Sequence, residues 1–319
     1  MGITDDVLNT EVKDNYYMVC IWPAAEVTQT KAAEALLKQA GRIVYAQDVE
    51  LTYLGMKNFM TQIYGHQAWT GTIRNQFRGT MGKADACYKA GKPVKTYLFE
   101  SPSFEVVIEV KERIRKLYGI EKSSVHISDN AKETYDMIQL LYNKNSVDFL
   151  NFAHPYQYKE VYSSIKKVEK LLQERNLDKS RFILGADAVM ESCGLSKAKY
   201  VEFITDYQKE KLADIDGSQN VKYNIDAEGI KISELLYDSN NYFYFEGMKM
   251  VTPQCALMIN QASYNKKMKR MLEKFVKETQ SGVKPYPQYR IRLRKIRARC
   301  ISKLKELINK IRKWRNSYD

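Results

Sequence analysis

The sequence has little of several residue types that often mark a function. Its cysteines form no Cys-x-x-Cys pair and are odd in number, so the sequence predicts neither a disulfide framework nor a zinc site. No apolar run approaches the ~18 residues that span a bilayer, and the acidic, polar start lacks the pattern of a secretory signal. These absences favour a cytoplasmic protein. The cysteines are Cys20, Cys87, Cys193, Cys255 and Cys300.

Positive charge is abundant, but it is unevenly distributed along the chain. The formal net charge of the 319 residues is +13. Thirteen Lys or Arg residues and only two acids, Glu306 and Asp319, follow residue 283. The residues before this tail therefore carry a net charge of only +2. The basic charge predicts an anionic partner for the tail alone.

Hydrophobic patterning predicts strands that alternate with helices along most of the chain. This alternation predicts an α/β or α+β fold. We expect an N-terminal domain at 1–152, a second domain at 153–282, and a basic amphipathic helical tail at 283–319. The predicted strands are 16–22, 43–51, 94–100 and 181–185 with a hairpin at 240–251, and the predicted helices are 29–40, 53–64, 106–118, 132–142, 157–175 and 253–278.

Histidine is scarce, with only His66, His126 and His154 in the whole chain. His126 lies in the polar stretch Ser124-Val125-His126-Ile127-Ser128-Asp129. A neutral imidazole is a good nucleophile near pH 7 and can carry a phosphoryl group covalently. The alternative is an ordinary structural or surface histidine, and the residue alone does not decide between the two.

The order of motifs from about Tyr17 to Tyr142 resembles that of nucleoside diphosphate kinases. Their first strand ends in a Lys-Pro-Asp-Ala-like turn, and their active histidine lies in a His-Gly-Ser-Asp motif that follows an Ile-Arg pair. The matching segments are Trp22-Pro23-Ala24-Ala25, Gly41-Arg42-Ile43-Val44, Tyr64 with His66 and Trp69, Ile114-Arg115, His126-Ile127-Ser128-Asp129, and Glu133.

This resemblance implies a ferredoxin-like antiparallel sheet and a phosphate-handling site around His126. His126, Glu133 and Arg115 would be catalytic, with Glu133 holding the second ring nitrogen and Arg115 neutralising phosphate oxygens. The sequence departs from the family at Trp22, Ala24 and Ile127, so the ordinary exchange between nucleoside triphosphate and diphosphate is in doubt. The residues implied to contact nucleotide or phosphate are Tyr64, His66, Trp69, Lys111, Arg113, Ser128 and Asp129.

A second stretch, RFILGADAVMESCGLSKAKYVEFITD at 181–206, resembles the opening of the nucleotidyltransferase superfamily. Such enzymes hold two metal ions on paired carboxylates, because both the entering and the leaving oxygen need neutralising. The resemblance implies that Gly185 and Asp187 contact a nucleotide and that Glu202 and Asp206 bind Mg²⁺. Tyr200 stands where one of the paired carboxylates is expected. The alternative is an unrelated α/β domain with a glycine turn.

The basic tail carries apolar residues at steps of three and four, which predicts a helix with an apolar seam. Residues 284–319 would bind an anionic membrane surface, and nucleic acid is the less favoured partner because aromatic residues for base stacking are absent from 290–313. Packing against the chain itself or an identical chain, in a homo-oligomer, is the third alternative. The seam consists of Leu293, Ile296, Cys300, Leu304, Leu307, Ile311 and Trp314.

Together these patterns predict a cytoplasmic phosphotransferase, peripheral to the inner face of the membrane. It would act through His126 on a nucleotide or a phosphorylated sugar, and analogy with such domains suggests surface-polysaccharide synthesis. One alternative is a non-catalytic nucleotide-binding or scaffold protein built from degenerate enzyme domains. A further alternative is a nucleotidyltransferase that uses the C-terminal half.

Overall fold

The computed structural model describes residues 14–25, 27–199, 201–207, 221–224, 230–259, 266–282 and 288–315. They form helices around two sheets, which is the α+β class predicted from the sequence. The helices are α1 (Thr30–Ala40), α2 (Tyr53–Tyr64), α3 (Thr80–Cys87), α4 (Phe104–Tyr118), α5 (Ala131–Leu141), α6 (Lys144–Phe152), α7 (Glu160–Glu174), α8 (Ala186–Ser192), α9 (Ile232–Tyr237), α10 (Pro253–Ile259), α11 (Lys266–Gln280) and α12 (Gln288–Arg315). The strands are β1 (Tyr16–Ile21), β2 (Arg42–Val49), β3 (Val94–Glu100), β4 (Val125–Ile127), β5 (Phe182–Leu184), β6 (Val201–Thr205), β7 (Val221–Asn224), β8 (Tyr242–Phe245) and β9 (Met248–Val251).

The first sheet has four strands in the order β2-β3-β1-β4, and each neighbouring pair is antiparallel. All six residues of β1 are buried, because its side chains alternate between two hydrophobic clusters on opposite faces of the sheet. Met18 and Cys20 belong to one cluster, and Tyr17 and Val19 belong to the other. The antiparallel sheet agrees with the sequence-based expectation, and its assignment as ferredoxin-like stays a prediction.

The second sheet has five strands in the order β7-β6-β5-β9-β8 and is mixed. Strand β5 is antiparallel to β6 and parallel to β9, while β8 and β9 form the hairpin predicted at 240–251. The two hairpin residues, Glu246 and Gly247, have φ angles of 51° and 74°. Two-residue hairpins of this kind require positive φ at both positions, which glycine tolerates easily and glutamate does not. The hairpin therefore holds Glu246 in a costly backbone conformation.

The two halves of the chain share buried surface. One hydrophobic cluster contains residues from Tyr16 to Ile291 and includes both sheets. The ring of Phe149 in α6 stacks on that of Phe243 in β8, with 4.4 Å between ring centres. The Asn145 side chain donates hydrogen bonds to three backbone carbonyls just before and within β8. The boundaries predicted at residues 152 and 282 stay predictions.

Helix α12 forms within the predicted basic tail and is anchored near its start. Ile291 is 1% exposed. The Arg294 guanidinium lies 2.7 Å from an Asp85 carboxylate oxygen and 4.4 Å from the centre of the Tyr53 ring. Within the described ranges, no helix combines the length and the hydrophobicity needed to cross a membrane.

One predicted element is described only in part, and one observed strand was not predicted. Within the predicted helix 253–278 the structure describes α10 and α11, and residues 260–265 lie outside the described part of the chain. Tyr200 and the side chain of Trp314 also lie outside it. Strand β4, which carries His126, was not predicted from the sequence.

Candidate functional site

A cavity of about 480 Å³ lies where the two halves of the chain meet. Its walls come from the end of α2, the first turns of α5, one face of α7 and the β8–β9 hairpin. Residues 62–67 and 126–140 contribute the N-terminal side, while residues 162–173 and 244–247 contribute the opposite side. Clefts between packed units are a common position for small-molecule sites, and this one contains His126.

The edge strand β4 positions His126. Residue 126 pairs with Cys20 of β1 in an antiparallel ladder, which fixes its backbone. The imidazole is 7% exposed and lies between two aromatic rings. The ring centre of Trp22 is 6.4 Å away in a stacked arrangement, and that of Tyr64 is 5.3 Å away, edge to face. These contacts restrict the imidazole to one orientation at the cavity wall.

The turn between β4 and α5 brings a carboxylate to this imidazole. The Asn130 side chain caps α5 by accepting a hydrogen bond from the Glu133 N–H at 2.8 Å. Glu133 in the first helical turn accepts the Asp129 N–H through Oε2 at 2.7 Å. Its other oxygen, Oε1, lies 3.0 Å from His126 Nε2. The helix start therefore fixes the carboxylate that orients the histidine.

Electrostatics keep the Glu133 carboxylate ionised. Burial raises the pKa of Glu133, but the hydrogen bond from His126, the positive charge of that ring when it is protonated, the Asp129 N–H and the Lys111 ammonium together lower the pKa below its usual value. An ionised carboxylate only accepts hydrogen bonds. Nε2 of His126 therefore carries a proton, and in the neutral form of the imidazole the lone pair lies on Nδ1.

Nδ1 is the ring nitrogen of His126 that can react with a ligand. Within the described ranges no hydrogen bond to Nδ1 of His126 is present, while Nε2 is taken by Glu133. A neutral imidazole with Nε2–H donated to a carboxylate can act at Nδ1 as a base or as a nucleophile. The arrangement of orienting carboxylate and imidazole is the one that acid–base and nucleophilic histidine sites share.

The cavity is also lined by residues with buried polar atoms that have no protein partner. These atoms are Nε2 of Gln62, Oδ1 of Asp136 and Oε1 of Gln139, and the Gln139 residue is only 2% exposed. Buried polar groups are normally hydrogen-bonded, because leaving one unpaired costs roughly 1–3 kcal/mol. All three residues line the cavity, so a polar ligand or water in it would satisfy them.

A lysine and two glutamates line the wall of the cavity that α7 and the hairpin form. The Lys166 ammonium lies 3.4 Å from Glu169 and 3.3 Å from Glu246. Glu246 also accepts a hydrogen bond from the Tyr156 hydroxyl at 2.7 Å, and its backbone N–H donates to Gln62 at 2.8 Å. Burial raises the pKa of the Glu246 carboxyl, which the Lys166 charge and the Tyr156 hydrogen bond oppose. The hairpin thus places a partly buried acid at the cavity wall.

The structure brings five of the residues predicted for the phosphate site to the cavity and places five others elsewhere. Arg115 pairs with Glu112 at 2.5 Å, and Arg113 donates to Gln39 at 3.0 Å. Neither arginine lines the cavity, so the cation expected beside His126 is not supplied by them. Those at the cavity are His126, Glu133, Tyr64, His66 and Asp129.

Three further predicted residues support the site from outside the cavity. Lys111 donates to Asp129 and to the Ile127 carbonyl, both at 2.9 Å, and so holds the loop that carries the site. Ser128 is buried and accepts the Met18 N–H at 2.8 Å, which makes it a link between strands rather than a phosphate contact. The Trp69 ring is 47% exposed, with its centre 5.7 Å from that of Tyr64.

The residues predicted in the C-terminal half lie at the start of α8 and along and just after β6. A Cβ at Gly185 would lie 2.8 Å from a Glu202 carboxylate oxygen, so Glu202 of β6 lies close against the start of α8. Asp187 lies in the first turn of α8. Asp206 accepts hydrogen bonds from Arg181 at 2.7 Å and Tyr237 at 2.8 Å. The part of the chain that the structure describes contains no group of three or more His, Cys, Asp or Glu side chains able to hold a metal.

Sequence reasoning missed Gln62, Lys166 and Glu246 as cavity residues. They come from three segments far apart in the chain, so no local spacing connects them. One signal was available for Glu246, because Glu246-Gly247 occupies a two-residue hairpin where asparagine or glycine is the usual first residue. An unfavourable residue in a tight turn often marks a functional position.

Comparison with known proteins returned no relative. No protein-family model matches this chain, and no curated protein and no solved structure matches it. The resemblances to nucleoside diphosphate kinases and nucleotidyltransferases therefore stay predictions. The function has to be argued from the site itself.

Proposed function

We propose that the cavity is the active site of a phosphotransferase in which His126 accepts a phosphoryl group from a nucleotide or a phosphorylated sugar. The contact between Glu133 Oε1 and His126 Nε2 at 3.0 Å carries this proposal, because it directs the lone pair of the neutral ring to Nδ1. The unpaired buried atoms of Gln62, Asp136 and Gln139 support a polar ligand in the same cavity.

In the proposed step, the Nδ1 lone pair attacks the terminal phosphorus of the donor. A bond forms between Nδ1 and phosphorus, the bond from phosphorus to the bridging oxygen breaks, and its electron pair leaves with the shortened donor. The imidazole becomes positively charged, and the ionised Glu133 carboxylate stabilises that charge through the Nε2–H hydrogen bond. Transfer to an acceptor oxygen reverses these changes and regenerates the neutral ring.

The charges at the cavity suit a ligand that is not a bare polyphosphate. The lysines that line it, Lys132 and Lys166, pair with Asp136 and with Glu169 and Glu246. Phosphoryl transfer needs cations at the transferring oxygens, so we expect Lys132, whose side chain is 70% exposed, to turn from Asp136 to the phosphate. A donor-rich part of the ligand, such as sugar hydroxyls, would meet the carboxylates opposite.

The test is labelling of the whole protein with nucleoside triphosphate carrying ³²P at the terminal phosphate. We expect an acid-labile, base-stable label in the wild-type protein and none in His126→Ala. His154→Ala is the matched control, because this exposed histidine does not line the cavity. Label that persists in His126→Ala, or no label with any nucleotide or sugar phosphate donor, would refute the proposal.

A second candidate function is ligand binding without turnover. The observation that favours it is the position of Arg113 and Arg115, which bind Gln39 and Glu112 rather than a ligand in the cavity. In that case calorimetry would detect nucleotide binding that His126→Ala leaves unchanged, and no labelling would occur. A cytoplasmic location and a place in surface-polysaccharide synthesis remain part of the first proposal and rest on analogy.

A further inference from the structure

Helix α12 carries a continuous apolar face that the described part of the chain leaves uncovered. At about 100° per residue, its exposed apolar side chains fall within roughly 140° around the helix axis, so they share one side of the helix. They extend over about 27 Å from the first to the last, at about 1.5 Å per residue. In the structure we define the apolar seam by these exposed side chains, which add Ile301 and Ile308 to residues of the predicted seam and are between 40% and 59% exposed: Leu293, Ile296, Ile301, Leu304, Leu307, Ile308 and Ile311.

The helix is attached to the protein by a different side. Ile291 is buried, and Arg294 binds Asp85 and lies over the Tyr53 ring. At about 100° per residue, Ile291 and Arg294 are centred roughly 130° around the helix axis from Leu293, Leu304 and Ile311. The anchoring contacts therefore turn the apolar seam away from the body of the protein.

Charge identifies the partner that this face fits. The 28 residues of α12 include twelve Lys or Arg and a single acid, Glu306. By their positions in the helix, Lys303 and Lys310 flank the seam on one side and Lys305 flanks it on the other. Basic residues beside an apolar stripe are the pattern of helices that lie in the interface of an anionic bilayer.

Two other partners fit less well. A second copy of this helix would cover the seam but would bring two strongly basic helices together, which like-charge repulsion opposes. Nucleic acid would neutralise the charge but would leave the apolar seam in water, since its outer surface is phosphate. An anionic lipid surface would both neutralise the positive charge and remove the apolar seam from water.

We propose that α12 docks the protein on an anionic membrane surface, with the apolar seam inserted among the lipid chains and the flanking lysines at the phosphate level. The anchored first turns would hold the cavity-bearing body at a fixed position above that surface. This proposal does not rest on phosphoryl transfer by His126, because the seam lies outside the cavity.

The experiment is co-sedimentation of the full-length protein with vesicles of phosphatidylcholine, with and without phosphatidylglycerol, at low and at moderate salt. We expect binding to the anionic vesicles only, weakened by salt. A seam variant, Leu304→Ser with Leu307→Ser and Ile311→Ser, should bind at least about tenfold more weakly, because exposed apolar groups no longer enter the bilayer.

A charge variant tests separately whether the flanking lysines contribute to binding of the anionic membrane. Lys303→Gln with Lys305→Gln and Lys310→Gln should also lose at least about tenfold in partition to anionic vesicles. The matched control removes the same charge elsewhere, through Lys144→Gln, Lys170→Gln and Lys231→Gln, whose side chains are 77–85% exposed. This control should bind nearly as well as the wild-type protein.

The remaining outcomes overturn the proposal. Equal binding of the seam variant and the wild-type protein would mean that the seam does not enter lipid. A wild-type dimer in light scattering without lipid that becomes a monomer in the seam variant would assign the seam to a second copy. Tighter binding to duplex DNA than to anionic vesicles, unchanged in the seam variant, would assign α12 to nucleic acid.

Discussion

His126 Nε2 lies 3.0 Å from Glu133 Oε1, and the two residues are joined by a single turn that ends a strand and begins a helix. The same carboxylate accepts the Asp129 N–H at the helix start. A substitution at Glu133 therefore affects the orientation of the imidazole and the N-terminus of α5 together. A Glu133 variant can therefore be tested both by the rate of His126 phosphorylation and by the free energy of unfolding.

Glu133→Gln should slow phosphorylation of His126 by about 100-fold or more. The amide NH2 can donate to Nε2, which favours the tautomer with its proton on Nδ1 and removes the lone pair from the reacting nitrogen. It also removes the negative charge that stabilises the phosphorylated, cationic ring. The measurement is the initial rate of ³²P labelling at saturating donor.

Glu112→Gln is the matched control for that rate. Glu112 is an exposed carboxylate bound to Arg115, outside the cavity, so its amide variant should label at the wild-type rate. If Glu133→Gln labels as fast as Glu112→Gln, the carboxylate does not orient the nucleophile, and the proposed role of Glu133 fails.

The lowered pKa of Glu133 predicts a stability difference that depends on pH. A carboxyl whose folded pKa lies below its unfolded value of ~4.3 stabilises the fold above that unfolded value, and the contribution is lost as the pH falls through the folded pKa. Urea unfolding of wild type and Glu133→Gln should therefore differ most near neutral pH and converge in acid. A difference that is constant or grows in acid would contradict the assigned direction.

Local patterns predicted much of the fold, because they depend on neighbouring residues. Strand β3 was predicted with its observed bounds after the turn Gly91-Lys92-Pro93, and α12 from its steps of three and four. Strand β4 was missed because it has only three residues, all buried, and shows no alternation. Helix α3 was missed because its sequence, TMGKADAC, contains a glycine and few large apolar residues.

Only the part of the site that lies within one short segment of the chain was predicted from the sequence. The pair of His126 and Glu133, seven residues apart in one segment, was expected from the resemblance to nucleoside diphosphate kinases. Lys166 and Glu246 reach the same cavity from distant segments, which no periodicity reveals. Arg115 was expected at the phosphate, but Glu112 lies one helical turn before it and binds its guanidinium instead. Competition between partners is decided by the folded structure rather than by spacing.

Gly55→Ala should destabilise the protein by about 3 kcal/mol. A Cβ at Gly55 in α2 would lie 2.2 Å from the side-chain oxygen of Asn151, which accepts the Thr52 N–H at 2.7 Å. Asn151 is buried and also donates to the Glu50 carbonyl. The added methyl group would overpack this site, and a shift of Asn151 would break at least one buried hydrogen bond. The measurement is the free energy of unfolding in urea.

Gly82→Ala is the matched control for that substitution. Gly82 is also inside a helix, α3, but a Cβ there would have no atom within 4 Å. Alanine is favoured over glycine in a helix by roughly 0.5–1 kcal/mol, so this variant should be slightly more stable than the wild type. Equal effects at the two positions would show that the Asn151 contact does not restrict residue 55.

Lys249 is a buried lysine in β9. It is 7% exposed, and its ammonium donates to the Ser180 carbonyl at 3.1 Å and to the Leu236 carbonyl. The ammonium also lies 4.6 Å from the centre of the Tyr242 ring. Burial lowers the pKa of Lys249 to about 8. At neutral pH the fold therefore contains an ammonium that would be better solvated in the unfolded chain.

Replacing Lys249 with methionine should give a stability difference that changes with alkaline pH in a defined direction. Between about pH 8 and the unfolded lysine pKa of ~10.4, the unfolded chain binds the proton more tightly than the folded one. The wild-type protein should therefore gain stability relative to Lys249→Met as the pH rises through this window, by at most about 3 kcal/mol. Guanidinium unfolding of both proteins at several pH values measures this difference in the free energy of unfolding. The tyrosines titrate in both proteins, so their contributions cancel in the difference. A wild-type protein that loses stability relative to the variant over this range would mean that the carbonyl and ring contacts hold the ammonium charged, and that burial does not set its pKa.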